Sequence, residues 1–123
     1  MSSEHFRGLI ENIKDGSHFL RRGAWIALVD RDPALSAPPP RVGRNPATGE
    51  EIQLRTPPDT RAITHGDDIA GILSFASYEH PGPSWEDDLG VVEVAGPIEF
   101  EQELTAVATR LAGELNAKFT RDH

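Results

Sequence analysis

The chain has 123 residues and a mass of 13.5 kDa, the size of one domain, and its 37% hydrophobic and 26% charged residues can form a core and exclude collagen-like or highly charged disordered chains. It contains no cysteine, which excludes disulfides, thiol catalysis, iron–sulfur clusters and cysteine-ligated zinc. The net charge of −8 and pI near 5.0 oppose polyanion binding by the whole molecule, although residues 1–62 are nearly balanced and residues 63–123 hold the whole acidic excess.

Residues 1–123 read as a single globular unit. Phe6, Leu9, Ile10 and Ile13 recur at i, i+3, i+4 and i+7 and predict a short amphipathic helix over residues 3–15, stopped by Gly16. Residues 18–20 and the apolar run 24–29 read as extended, the second as a buried strand. Pro33, Pro38, Pro39 and Pro40 mark residues 31–40 as a proline-rich loop. Residues 41–42 and 51–55, the latter with Ile52 and Leu54 alternating, flank a stretch dense in turn residues, so a β-hairpin is expected across 41–55.

Beyond Pro57-Pro58, residues 62–63 read as a short strand and 69–78 as a longer one, with helix as the alternative for the second. Residues 80–88 have loop composition and 90–95 strand composition. Phe100, Leu104, Val107, Leu111 and Leu115 then form the clearest helical stripe in the chain, with Glu99, Glu101 and Glu103 near its start, where the helix dipole favours anions. Residues 117–120 can add a last strand. The implied class is α+β: a mainly antiparallel sheet with a hairpin at 41–55, packed against a C-terminal helix and a short N-terminal helix.

One segment carries a sharper signal. Arg41-Val42-Gly43-Arg44-Asn45-Pro46-Ala47-Thr48-Gly49-Glu50-Glu51-Ile52-Gln53-Leu54 closely resembles the DNA-binding arm of the histone-like HU/IHF family, whose arm tip reads Gly-Arg-Asn-Pro-x-Thr-Gly. The resemblance covers residues 41–54 and implies a hairpin laid in the DNA minor groove. Pro46 would be the wedge between base steps, Arg44 the groove contact with Asn45 beside it, and Arg41 and Arg55 supporting basic residues. A second reading is a rigid turn built by Gly43, Asn45, Pro46 and Gly49, with Asn45 and Thr48 satisfying local backbone groups. A third keeps the hairpin as scaffold and gives its surface to a protein partner, which accommodates both the motif and the acidity.

Trp85, Glu86, Asp87 and Asp88, preceded by Pro81-Gly82-Pro83-Ser84, form an acidic loop with an aromatic anchor, a combination suited to a protein interface. The alternative is that Trp85 caps the core beside Leu89. Five histidines show no His-x3-His or Glu-x2-His spacing, so no metal site is assigned. His65-Gly66-Asp67-Asp68 could set an imidazole beside carboxylates, as a general base needs, and is read as a turn. Dinucleotide-binding, phosphate-loop and Gly-x-Ser-x-Gly motifs are missing, and no catalytic residue or cofactor is assigned.

No apolar run approaches the ~20 residues of a membrane helix, and the first residues lack a secretory-signal pattern. The expectation is therefore a non-enzymatic, acidic, bacterial-type cytoplasmic protein that binds a partner protein, basic in character, in the manner of immunity proteins or small regulators. No membrane partner is expected. The alternative is a DNA-binding module that uses the arm-like hairpin.

Overall fold

The computed structural model describes residues 5–12, 19–37, 41–54 and 59–122. Its elements in chain order are β1 (His5–Glu11), β2 (Leu20–Arg21), α1 (Arg22–Asp30), β3 (Arg41–Arg44), β4 (Glu51–Leu54), β5 (Thr60–His65), β6 (Asp68–Glu79), β7 (Leu89–Pro97), α2 (Glu101–Glu114) and β8 (Lys118–Asp122). A six-stranded antiparallel sheet runs β5-β6-β7-β1-β8, and β2 pairs with β7 beyond the end of β1. Strands β3 and β4 form a separate two-stranded sheet. The chain is thus α+β, a mainly antiparallel sheet with two helices.

Two local expectations are corrected. Residues 5–11 are a strand, not part of a helix. Phe6 and Ile10 are buried while His5 and Arg7 are exposed, an alternation of period two that the helical spacing of Phe6, Leu9 and Ile10 concealed. Gly8, a poor helix former, faces the Phe119 ring of β8 so closely that any side chain would collide with it. Ile13 and Gly16, which extended the helical reading, lie outside the described residues.

Residues 24–29, expected as a strand, belong to α1. Trp25, Leu28 and Val29 are its buried apolar residues at i, i+3 and i+4, and Ala24 and Ala27 beside them are strong helix formers. The N-terminal helix therefore follows two strands, β1 and β2, where it was expected as the first element.

The remaining elements follow the periodicity. Strands β5, β6 and β7 contain residues 62–63, 69–78 and 90–95, and α2 buries Leu104, Ala108, Leu111 and Ala112 on one stripe. Residues 31–37 are loop apart from a bridge between Ser36 and Ala62, and residues 38–40 fall outside the described set.

Phe6, Ile10, Leu73, Phe75, Val92 and Val94 lie on one face of the sheet by register, and they form a single core with Trp25, Leu28 and Val29 of α1 and Leu104, Ala108 and Leu111 of α2. Both helices therefore cover the same face. The opposite face carries Arg7, Leu9, Ile72, Ser74, Ala76, Glu93 and Ala95. Among the described residues no helix is long and apolar enough to cross a membrane.

Candidate functional site

Arg22 opens α1, and its guanidinium is almost completely buried, with 8% of the side chain exposed. A buried cation is tolerated only when its charge is compensated, and here residues 59, 85 and 88, from two chain segments, accept from it. Its Nε donates to Asp59 Oδ2 at 3.0 Å, its Nη1 to the Trp85 carbonyl at 3.0 Å, and its Nη1 also to Asp88 Oδ2 in a short contact. The guanidinium carbon stands 4.3 Å from the centre of the Trp85 ring and 5.0 Å from that of Phe75, so cation–π contact completes the enclosure.

The backbone repeats this fastening. The Arg22 amide donates to the Asp88 carbonyl at 2.9 Å, satisfying one of the orphan donors at the start of α1. Trp25 Nε1 donates to the Asp59 carbonyl at 2.8 Å. At the surface Arg21 pairs with Asp87 at 3.0 Å, and exposed His80 contacts the second oxygen of Asp88 at 2.9 Å. The hydrogen bond from His80, followed by that from Arg22, holds the Asp88 carboxyl below its ordinary pKa against the opposing effect of burial.

This network decides what the acidic loop offers to solvent. Trp85 is 45% exposed, although its backbone carbonyl and one ring face are engaged by Arg22. Glu86 is exposed and makes no ion pair among the described residues. Asp87 is half-buried and occupied by Arg21. Asp88 is 6% exposed and turned inward, which corrects the expectation of an exposed acidic run: its carboxylate holds the loop to α1. Trp85 covers the buried guanidinium of Arg22 with one ring face while nearly half of it faces water.

The hairpin has a different construction. Within its tip the Asn45 amide donates to the Glu50 carbonyl at 2.9 Å and the Gly49 amide to the Asn45 carbonyl at 2.7 Å. Asn45 Oδ1 accepts from the Ala47 amide at 2.9 Å, and Thr48 Oγ1 accepts from the Glu50 amide at 3.3 Å. Gly49 takes φ +74°, in the left-handed region that a side chain disfavours.

Turn chemistry thus accounts for Asn45, Thr48 and Gly49. It assigns no contact to the exposed Arg44 and Pro46. Arg44 stands opposite Glu51 in register without an ion pair among the described residues, and Val42 and Ile52 are 61% and 44% exposed. Arg41 contributes backbone to β3, and Arg55 lies outside the described residues. The structure therefore brings Arg44, Asn45 and Pro46 together at one tip.

The turn at residues 65–68 is exposed throughout. His65 Nδ1 lies 2.8 Å from Glu103 of α2, and its ring packs 5.3 Å from that of Phe100, so the histidine faces the helix and not Asp67 or Asp68. No group of three metal-ligating side chains occurs among the described residues. Sequence reasoning missed Arg22 and Asp59 altogether. Their only local signal is an Arg at the first position of α1, just ahead of the apolar run 24–29.

No family model, curated protein or solved structure matches this chain.

Proposed function

We propose that the chain is a non-catalytic, acidic protein-binding module, of the immunity-protein or small-regulator kind, that presents Trp85 with Glu86 beside it to a basic protein partner. The observation that carries this reading is the posture of Trp85: a large amphipathic ring left half in water while a buried arginine fixes its backbone and one face. Ordering an exposed side chain on binding costs about 0.5 to 1.5 kcal/mol, and a ring already held in place avoids much of that cost. Trp and Tyr are the residue types most enriched at energetic centres of interfaces. The acidic excess of the chain favours encounter with a basic surface.

The test is affinity capture with wild-type, Trp85→Ala and Glu86→Lys baits, each shown by circular dichroism to be folded. Under this reading, proteins held by the wild type are lost from both variant baits. Identical captured sets on all three baits would reject the loop as an interface. Asp88 is left unaltered because its substitution would disturb the fold.

The hairpin supports a second reading, DNA binding, because Arg44 and Pro46 are exposed together at the tip of a two-stranded sheet that hydrogen-bonds to nothing else described. Fluorescence anisotropy of a labelled duplex at about 50 and 200 mM salt tests it, since counterion release makes phosphate-driven binding fall steeply with salt. Binding that weakens with salt and drops in Arg44→Ala, together with reduced bending in Pro46→Ala, is the expected pattern. Equal binding by the Arg44 variant would reject it.

A further inference from the structure

The sheet face away from both helices carries apolar side chains across its middle strands, while β8 adds the exposed Lys118 and Thr120 to it by register. Leu9, Ile72, Ala76 and Ala95 lie on it, each only half-buried. At one end it is closed, where Phe19 packs 5.4 Å from Tyr78 and Val91 is 3% exposed. Towards the other end it opens into a shallow groove of about 280 Å³ lined by Arg7, Gly8, Leu9, Glu93, Val94 and Ala95.

The register gives this groove an internal symmetry. Arg7 pairs across β1 and β7 with Ala95, and Leu9 pairs with Glu93, so the four side chains stand at the corners of a rectangle with Arg7 and Glu93 on one diagonal. Leu9 and Ala95 occupy the other. Both charged residues are exposed, and neither is in an ion pair among the described residues, including with each other. Diagonal cross-strand neighbours are about 7 to 8 Å apart.

We propose that this face is the contact between two copies of the chain, packed sheet against sheet about a twofold axis. An axis lying in the interface, passing between Leu9 and Ala95 at right angles to the Arg7–Glu93 diagonal, exchanges the two charged positions. It sets Arg7 of each copy over Glu93 of the other, in two equivalent ion pairs, and lays Leu9 and Ala95 against their counterparts at the centre. The patch is self-complementary, as a closed twofold interface requires. A strand spacing of about 4.8 Å and a rise of about 3.4 Å per residue make the two strand directions cross at about 70°, towards the orthogonal mode of sheet packing. The surface is separate from the Trp85 loop, so a dimer leaves that loop free.

The experiment is light scattering coupled to size exclusion, at about 100 µM protomer because dimer population depends on concentration, on the wild type, Arg7→Glu, Glu93→Arg and the double charge swap. The wild type is expected to run at twice the 13.5 kDa chain mass. Each single variant opposes like charges across the axis and should raise the dimer dissociation constant more than tenfold. The swap restores both pairs and should restore the dimer. Far-UV circular dichroism on each variant separates dissociation from misfolding, and the swap provides a folded comparison if a single variant fails. A monomeric wild type, dimers indifferent to both single reversals, or a folded double swap that stays monomeric would each overturn the proposal.

Discussion

The Trp85 loop and the β3–β4 hairpin are both surface segments, but they are held by opposite means. The loop is fixed by a buried charge whose partners come from residues 59, 85 and 88, so its shape is a consequence of the whole fold. The hairpin is fixed by its own amides and the side chains of Asn45 and Thr48, all between residues 45 and 50, and a two-stranded ribbon of this kind is marginal by itself. An aromatic on the first support is preorganised by distant residues. An arginine on the second is positioned only by its immediate neighbours.

The largest expected effect is therefore at Arg22. Arg22→Met preserves bulk and removes the guanidinium, leaving the buried Asp59 and Asp88 carboxylates without their cation. Breaking a buried pair from one side costs about 3 to 5 kcal/mol, a large share of the stability of a domain this size. Equilibrium urea unfolding measures it. A loss below about 1 kcal/mol would place the cluster among exposed ion pairs and erase the contrast between the two regions.

The same difference explains what could be read from the amino-acid order. Every determinant of the hairpin tip lies within a few letters, so its turn was legible down to the roles of Asn45, Thr48 and Gly49. Helix α2 was legible because its stripe persists over 14 residues. Arg22 was not, because Asp59 and Asp88 lie 37 and 66 residues away and only the fold brings them together. The first 30 residues misled because their segments are short. Seven residues with Phe6, Leu9 and Ile10 satisfy a helical spacing while folding as a strand, and residues 24–29 satisfy an apolar-run reading while folding as part of α1.

Gly49→Ala should have a smaller effect and confine it to the hairpin. At φ +74° an alanine costs about 1 to 2 kcal/mol, but among the described residues β3 and β4 pair only with each other. Hydrogen exchange at the Asn45 and Gly49 amides should accelerate roughly tenfold, given about 1.4 kcal/mol per decade, while the urea midpoint of the body stays unchanged. A lower midpoint would mean that the hairpin and body unfold together.

Acid titration probes the loop more gently. Asp88 titrates below the ordinary aspartate value of 3.8 because of His80 first and Arg22 second, and Asp32 does so because Arg110 donates to it. A depressed folded pKa contributes stability that is fully present above the unfolded value and is lost as the pH falls through the folded one. Thermal stability should accordingly hold down to about pH 5 and decline below about pH 4. His80→Gln removes the leading cause of the Asp88 shift, so the variant should be less stable than the wild type above about pH 5 and lose less on acidification. An unchanged acid profile would leave the loop's electrostatics to Arg22 alone.

The smallest effect on stability is expected at Arg44. It is exposed, lies across from Glu51 without pairing to it among the described residues, and supports none of the turn's hydrogen bonds. Arg44→Ala should change unfolding free energy by no more than about 0.5 kcal/mol, and a double-mutant cycle with Glu51→Ala should return a coupling below about 0.5 kcal/mol. This near-silence has a use. A loss of binding at Arg22 is confounded with loss of the fold that presents Trp85, whereas a loss of binding at Arg44 has no structural intermediary and reports contact with the ligand itself. A coupling above about 1 kcal/mol would show that Glu51 already holds the arginine, and Arg44 would then not be free to meet a phosphate.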